Sequence, residues 1–238
     1  MKNKCQSIKN QLCATYPTEN RTFCGDTASL DSILTSKSLN DFVYIQHPRM
    51  EMVIYRRSIA CNWEKLFDNL EPSQFPDFRI LVGSFKVKKE VEKKLDEYEI
   101  IADENRKSLV NDICNLVGIF AKITQEEYVD VRLDRIEDDS CWKFHRDAVE
   151  TRLLTTYYGP TTEWVNPLYS EQALKEQKKY EGPIEHLQIN DVAIFRGNRC
   201  NNIHGVVHRS PPISGKGYVR SLLCLDIPSS ASSKEYLF

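Results

Sequence analysis

The segment YVDVRLDRI, residues 128–136, decides the fold class of this chain, because hydrophobic and charged side chains alternate along it. In an extended strand this alternation places one set of side chains on one face, namely Val129, Val131, Leu133 and Arg135. Three further segments are rich in β-branched and aromatic residues, and they are RLLTTYYG (152–159), LQINDVAIFRG (187–197) and VRSLLCLDI (219–227). Short strands at this spacing fit a jelly-roll or a related barrel better than a parallel α/β sheet.

The first half of the chain has a different texture. KSLVNDICNLVGIFAKI (107–123) carries apolar side chains at the spacing of one helical face, and KVKKEVEKKLDEYEII (86–101) has the pattern of a charged surface helix. Residues 1–30 are polar and without periodicity, as is typical of a flexible N-terminal arm. We therefore predict an arm, a mixed and largely helical scaffold at 31–125, and a β-rich core at 126–238.

The predicted core contains an insertion between its second and third strands, at residues 165–186. Within it, SEQALKEQKKY (170–180) predicts a helix with Ser170 as its N-cap. Such an insertion is either a plain surface loop or, at the mouth of a barrel, a lid over the site.

The composition excludes some classes of function. Among the 238 residues, 32 Lys and Arg nearly balance 34 Asp and Glu, so the basic field that a general nucleic-acid or membrane-surface binder needs is missing. No apolar run approaches the roughly 20 residues of a membrane span, and MKNKCQSIKNQLC (1–13) lacks the apolar stretch of a secretory signal. The eight cysteines form no C-x-x-C pair, which favours free thiols in a reducing, cytoplasmic compartment.

Candidate metal ligands lie between the first two strands of the core and near its end. His145 and Asp147 are separated by one residue, so an extended segment projects both from the same face. His208, in GVVHRSPP (205–212), can arrive from an adjacent strand. Two imidazoles and one carboxylate on one side of a metal leave three positions open, which is the arrangement that non-haem Fe(II) oxygenases use.

Arg220 adds a second signal, because it interrupts an otherwise apolar strand twelve positions after His208 (220 minus 208). A buried guanidinium needs a partner, since an unpaired buried charge is unfavourable. Its fork of donors suits a carboxylate. In an iron oxygenase that carboxylate would be the far end of 2-oxoglutarate; the alternative is a structural ion pair with an internal acid.

These motifs resemble those of the Fe(II)/2-oxoglutarate-dependent dioxygenases. HRSPP (208–212) with the downstream Arg220 is similar to the distal-histidine segment of the phytanoyl-CoA hydroxylase branch. HRDAVETRLLTTYY (145–158) is similar to the first half of the motif in prolyl-hydroxylase-like members. INDVAIFRG (189–197) looks like their Gly-Asp element followed by an apolar strand, with Asn190 in the place of glycine.

More narrowly, FHRDAVETRLLTTYYGPTTEWV (144–165) and GVVHRSPP (205–212) resemble the uncharacterised domain-of-unknown-function 1826 family. The close resemblance covers about residues 130–227, with a weaker helical match before it. This narrower family brings no reaction with it, so dioxygenase chemistry is implied at superfamily level only. The implied fold is α+β, with a double-stranded β-helix core of the jelly-roll, cupin-like kind and N-terminal helices packed against it.

The resemblance also implies roles for particular residues. His145, Asp147 and His208 would hold Fe(II) as the catalytic centre, and Arg220 would hold the cosubstrate 2-oxoglutarate. Further hydrogen bonds to the cosubstrate are expected from Ser221, Thr155 and Tyr157. His204, in IHGVV, is a rival for the distal ligand, but HRSPP and the shorter spacing to Arg220 favour His208.

Three functions remain open from the sequence. The first is an oxygenase that uses Fe(II), 2-oxoglutarate and oxygen on an unidentified small-molecule or protein substrate. The second is a metal-binding protein of the same fold that handles or senses zinc or iron, and the third is an interaction domain with an empty site. Arg152 and Trp164 are either substrate contacts or wall packing. A kinase catalytic loop is excluded, because Arg152 stands where that motif needs Asn.

Overall fold

The structure is a computed structural model that describes residues 32–57, 63–200, 204–230 and 232. The predicted arm at 1–30 lies outside the described residues. The strands are β1 (Ile33–Ser36), β2 (Met52–Tyr55), β3 (Phe78–Gly83), β4 (Tyr128–Ile136), β5 (Thr151–Tyr158), β6 (Glu163–Val165), β7 (Glu185–His186), β8 (Val192–Arg196), β9 (Val207–Arg209) and β10 (Arg220–Asp226). The helices are α1 (Trp63–Asp68), α2 (Val87–Glu97), α3 (Glu104–Thr124) and α4 (Ser170–Glu176). Short 3-10 helices cover Leu39–Gln46, Pro72–Gln74, Pro167–Tyr169 and Gln177–Lys179.

The fold is mixed α/β and is dominated by one large sheet, as the alternating segments predicted. Its seven strands run in the order β1-β2-β8-β5-β10-β4-β3, and all neighbours are antiparallel except β1 and β2. Strands β1, β2 and β3 come from the segment predicted as a largely helical scaffold, so that part of the chain builds both edges of the sheet. These strands are only four to six residues long, and apolar runs of that length do not distinguish strand from helix.

Strand β4 shows why the sheet has two different faces. It covers the residues of the alternating segment, and Val131 and Leu133 are fully buried in the core that includes helix α3. On the opposite face, Arg132 and Asp134 line a cleft. The predicted two-faced strand is therefore confirmed.

Helix α3 covers the apolar face of the sheet. Asp103 caps its N-terminus by accepting a hydrogen bond from the backbone N–H of Arg106 at 2.9 Å. Its buried stripe of apolar residues contains Leu109, Val110, Ile113, Leu116, Val117 and Phe120. No helix among the described residues is long and apolar enough to cross a membrane.

The chain turns at Asn190, directly before β8. Asn190 has φ of +65°, a left-handed conformation that asparagine tolerates better than most residues, which explains how it stands where glycine is usual. Its side-chain oxygen also accepts a hydrogen bond from the indole of Trp63 at 2.8 Å. The turn is thus tied to helix α1.

A second, three-stranded sheet has the order β7-β6-β9 and is antiparallel. The predicted helix in the insertion is present as α4, but Ser170 is its first residue and Tyr169 occupies the N-cap position. The prediction of Ser170 as N-cap was therefore wrong. The chain is already turning when it reaches α4, because a 3-10 helix precedes it and is capped by the side chain of Asn166.

Candidate metal centre

Backbone pairing brings the two candidate histidine ligands together. The N–H of His145 donates to the carbonyl of His208, and the N–H of His208 donates to the carbonyl of His145, both at 3.0 Å. The imidazole rings then lie with their centroids 4.6 Å apart. Asp147 follows two residues after His145, and its carboxylate lies beside both imidazoles, as the spacing predicted.

The donor atoms converge on one point. His145 Nε2 lies 3.4 Å from Asp147 Oδ1, and His208 Nε2 lies 3.3 Å from Asp147 Oδ2. Possible ligand atoms of the three side chains are all within 4.8 Å of one another, and no other such group occurs in the described parts of the chain. This arrangement can hold one metal ion.

Hydrogen bonds set the orientation of both imidazoles. His145 Nδ1 lies 2.8 Å from the carbonyl oxygen of Lys143, and His208 Nδ1 lies 3.2 Å from that of Val206. A carbonyl only accepts, so each Nδ1 carries a proton, and Nε2 is the nitrogen that faces the centre and would bind a metal. The ring of Phe195 packs 4.9 Å from that of His208 and restricts its rotation.

The surroundings of Asp147 keep it ionised. Burial raises the pKa of this carboxyl, but hydrogen bonds from His145 and His208 and the charge of Arg152 outweigh burial and hold the pKa far below its ordinary value. For His145, burial lowers the pKa, but the hydrogen bonds with Asp147 and with the carbonyl of Lys143 raise it above 6.5. Without metal, the centre therefore holds an anionic carboxylate between the side chains of His145 and His208.

Arg220 is fully buried and has no acidic partner among the described residues. Its guanidinium donates to Ser210 Oγ at 2.7 Å and to Thr162 Oγ1 at 3.2 Å, and its Nε has no hydrogen-bond partner. Among the described residues, no Asp or Glu lies within ion-pair distance of it. Burial lowers the pKa of Arg220 to about 10, which still leaves it charged at neutral pH.

A cleft of about 300 Å³ reaches the candidate ligands but is not lined by Arg220 itself. The three candidate ligands line it together with Ser210 and Thr162, the two hydroxyl partners of Arg220. The rest of the lining combines charged and polar side chains, such as Asp77, Arg132, Asp134, Arg135 and Ser140, with apolar ones, such as Ile136, Leu154 and Leu222. A larger cavity of about 710 Å³ lies elsewhere and contains none of the candidate ligands, so size alone does not mark the site.

Three predicted cosubstrate contacts are corrected by the structure. Ser221 and Thr155 lie on the strand faces that carry Leu223 and Leu153, which belong to the core with α3. Tyr157 is buried there too, and its hydroxyl donates to Asp112 of α3 at 2.7 Å. These residues, Ser221, Thr155 and Tyr157, therefore face away from the cleft.

The hydroxyls that lie beside Arg220 are those of Ser210 and Thr162, in place of the predicted Ser221, Thr155 and Tyr157. Ser210 lies two residues after His208, a spacing that could have indicated it. Thr162 lies in the turn between β5 and β6, where periodicity gives no signal. His204 is exposed and does not line the cleft, whereas His208 does.

Arg152 and Trp164, which the sequence left as substrate contacts or wall packing, have different surroundings in the structure. Arg152 donates to Asp147 Oδ2 at 2.7 Å and also holds Asp226, so it supports the centre from the side. Trp164 lies opposite His208 in the pairing of β6 with β9 and packs against the hydrophobic cluster that contains Phe195. For Trp164 this is the packing role that the sequence left open, whereas the support of Asp147 by Arg152 was not foreseen.

His208 on β9 of the three-stranded sheet, His145 paired with it, and Asp147 two residues further on form a group that can hold a single metal ion. The chain belongs to the family described as protein of unknown function (DUF1826), whose family model matches residues 36–226. Among curated proteins there is no match to this chain.

Several solved structures are similar to this chain. The dioxygenase for auxin oxidation 1 from Arabidopsis thaliana, in a binary complex with 2-oxoglutarate, matches with a TM-score of 0.49 and 11% identity, over 84% of this chain and 94% of that one. The dioxygenase for auxin oxidation in rice matches with a TM-score of 0.49 and 8% identity, over 83% and 82%. AviO1 from Streptomyces viridochromogenes matches with a TM-score of 0.35 and 15% identity, over 85% and 98%.

Proposed function

We propose that this protein is a non-haem oxygenase that uses Fe(II) and 2-oxoglutarate to oxidise a substrate that is a small molecule or a protein side chain. The observation that carries the proposal is a buried cation without an acidic partner beside a convergent His-Asp-His group. His145, Asp147 and His208 are the proposed iron ligands, and Arg220 is the proposed anchor of the cosubstrate.

The donor set fits a metal of the Fe(II) class. Two imidazole nitrogens and one carboxylate are borderline and hard donors, which suit Fe(II) and also Zn(II). Three protein ligands leave positions open for a chelating cosubstrate and for oxygen. The carbonyl groups behind His145 and His208 supply the outer hydrogen bonds that metal-binding histidines usually have.

The environment of Arg220 fits a dicarboxylate. A buried guanidinium is normally paired with an acid, yet here only Ser210 and Thr162 accept from it. A carboxylate arriving through the cleft would give the guanidinium the charged, bidentate partner that its geometry suits. An internal acid beside Arg220 would have favoured the metal-handling alternative instead.

Each of the proposed site residues has a defined task. Bound iron would supply the oxygen-activating redox chemistry, with 2-oxoglutarate as the reductant. The three ligands fix the position of the metal, and Arg220 with its two hydroxyl neighbours fixes the far end of the cosubstrate. We propose that the seven-stranded and three-stranded sheets form the two sides of a double-stranded β-helix around this cleft.

The test measures formation of succinate from 2-oxoglutarate in the purified protein after addition of oxygen. We expect slow formation that requires Fe(II), because oxygenases of this class convert some cosubstrate without substrate. His208→Ala should lower it by more than about 100-fold, since a ligand contributes more than the roughly 10–100-fold of an outer partner. Arg220→Met should lower it at a subsaturating cosubstrate concentration.

Arg49→Met is the matched control, because Arg49 is exposed and remote from the cleft lining. It should form succinate at the wild-type rate. Equal rates in wild type and His208→Ala would contradict the proposal. Metal binding without any succinate would favour the alternative, a metal-binding protein of the same fold that handles zinc or iron.

A further inference from the structure

Arg152 bridges one proposed metal ligand and a second buried acid. Its Nη1 donates to Asp147 Oδ2 at 2.7 Å. Its Nε and Nη2 donate to the two oxygens of Asp226, each at 2.7 Å. The Arg152 side chain is 16% exposed, and those of Asp147 and Asp226 are 9% and 8% exposed. All three groups are therefore held in a largely dehydrated setting, where such bonds are strong.

The bidentate contact with Asp226 fixes the plane of the guanidinium. A planar group held by two parallel hydrogen bonds cannot rotate freely. Its remaining donor therefore points in a fixed direction, toward Asp147 Oδ2. This distinguishes Arg152 from Arg132, which approaches Asp226 at 3.6 Å and makes no ion pair with Asp147.

The contact makes the two oxygens of Asp147 unequal. Each oxygen faces one histidine, Oδ1 at 3.4 Å from His145 Nε2 and Oδ2 at 3.3 Å from His208 Nε2, but only Oδ2 also accepts from Arg152, and no other arginine among the described residues engages Oδ1. A metal placed between the histidines would then meet a carboxylate with one oxygen available and the other held back.

We propose that Arg152 is a positioning residue that restrains Asp147 to bind the metal through Oδ1 alone. This proposal rests on the metal site of the proposed function. Asp226 acts through Arg152 by fixing the guanidinium. One-oxygen binding by Asp147 keeps a coordination position free, which a chelating cosubstrate and oxygen need. Arg152 thus sets the number of open positions without touching the metal.

Strand β10 connects this device with the proposed cosubstrate anchor. Residues at intervals of two share a strand face, so Arg220 and Asp226 are on the face that Leu222 and Cys224 present to the cleft. The same strand therefore holds the proposed cosubstrate anchor at its beginning and the support of the metal ligand at its end.

The test is a titration of the purified full chain with Co(II), followed by the visible absorption of the bound ion. Arg152→Met should weaken Co(II) affinity by about tenfold or more, as loss of an outer hydrogen bond does. Its spectrum should change, because Asp147 can then offer both oxygens. Arg152→Lys should give an intermediate affinity, since lysine can donate to Asp147 but cannot hold both acids in a planar fork.

Asp226→Asn should weaken affinity in the wild-type background and add nothing in the Arg152→Met background, because Asp226 acts only through Arg152. Arg49→Met is the matched control and should keep both affinity and spectrum, because Arg49 is exposed and does not line the cleft. If Arg152→Met does not fold, Arg152→Lys and Asp226→Asn decide the question.

Two results would overturn the proposal, and they are distinguishable. Wild-type affinity and spectrum in both Arg152→Lys and Asp226→Asn would remove the positioning role while the metal site stands. Absence of Co(II) binding by the wild-type chain would remove the metal site itself and the positioning role with it.

Discussion

At the scale of single residues, Arg220 is the group that the fold accommodates least well. Its guanidinium is fully buried, and within the described parts of the chain it bonds only to neutral hydroxyls and its Nε has no hydrogen-bond partner. Burial lowers the pKa of Arg220 to about 10, so the side chain stays charged between pH 6 and 9. A buried charge of this kind lowers the stability of the protein unless a ligand pairs with it.

Replacement of Arg220 by Met therefore should not destabilise the metal-free protein. We expect the free energy of unfolding of the variant to rise, or to fall by no more than about 1 kcal/mol. The reason is that no acid among the described residues loses an ion-pair partner. In the folded state the pKa is lowered, so the penalty is fully present below pH 10 and fades only as the pH rises from there toward 12.5. The difference between variant and wild type should thus be constant from pH 6 to 9.

Denaturant unfolding at three pH values in this range measures that difference. A loss of more than about 2 kcal/mol would show that Arg220 is a structural ion-pair partner instead. Arg79→Met shows the size of such a loss, because Arg79 pairs with the fully buried Asp130 at 2.6 Å.

The alternation of side chains along a strand decides which residues of the candidate centre could be predicted from the sequence. Alternation along a strand indicates that His145 and Asp147 share a face, and the structure brings them together. The same rule already places Ser221 on the face opposite to Arg220, so that prediction contradicted the periodicity. The face of β5 that turns toward the centre, and with it the place of Thr155, depends on tertiary packing that the sequence does not show.

At the scale of elements, the insertion supports the centre. Residues of the insertion, Ala173 and Tyr180, pack with Phe144, which directly precedes His145. Gln177 also donates to the carbonyl of Phe144 at 2.9 Å. No residue of the insertion lines the cleft. The contacts are those of a support for the His145 segment, and they do not favour a lid.

Phe144→Ala tests this role of the insertion. Phe144 is 2% exposed, so its truncation should lower the free energy of unfolding by about 3–5 kcal/mol. It should also weaken Co(II) binding, because His145 loses its fixed position. Denaturant unfolding and Co(II) titration measure the two effects, and Leu168→Ala, at a side chain that is 80% exposed, is the control. Unchanged Co(II) affinity in Phe144→Ala would contradict the role.

Elements were predictable where they are long or strictly periodic. Strand β4 and helix α3 were both found, because nine residues of alternation and 21 residues of helix exceed chance patterns. Strands β6, β7 and β9 have two or three residues each and exist through their pairing partners. The start of α4 was misplaced because a preceding 3-10 helix shifts its cap.

At the scale of the whole molecule, one sheet separates stability from chemistry. Helix α3 and its neighbours bury the apolar face, and the opposite face carries Arg132, Arg152 and Arg220 beside the cleft. The first half of the chain completes the edges of this sheet through β1, β2 and β3. The three candidate metal ligands all lie after residue 126, so a boundary drawn there from texture separates them from the scaffold, although the sheet itself crosses that boundary.

The central claim is that iron and 2-oxoglutarate bind together in this cleft. The most direct measurement is the visible absorption of the anaerobic protein with Fe(II) before and after addition of 2-oxoglutarate. We predict a charge-transfer band that requires both components, is absent in His145→Ala, and in Arg220→Met appears only at much higher concentrations of 2-oxoglutarate. Tight Fe(II) binding without any band at saturating 2-oxoglutarate would contradict the claim.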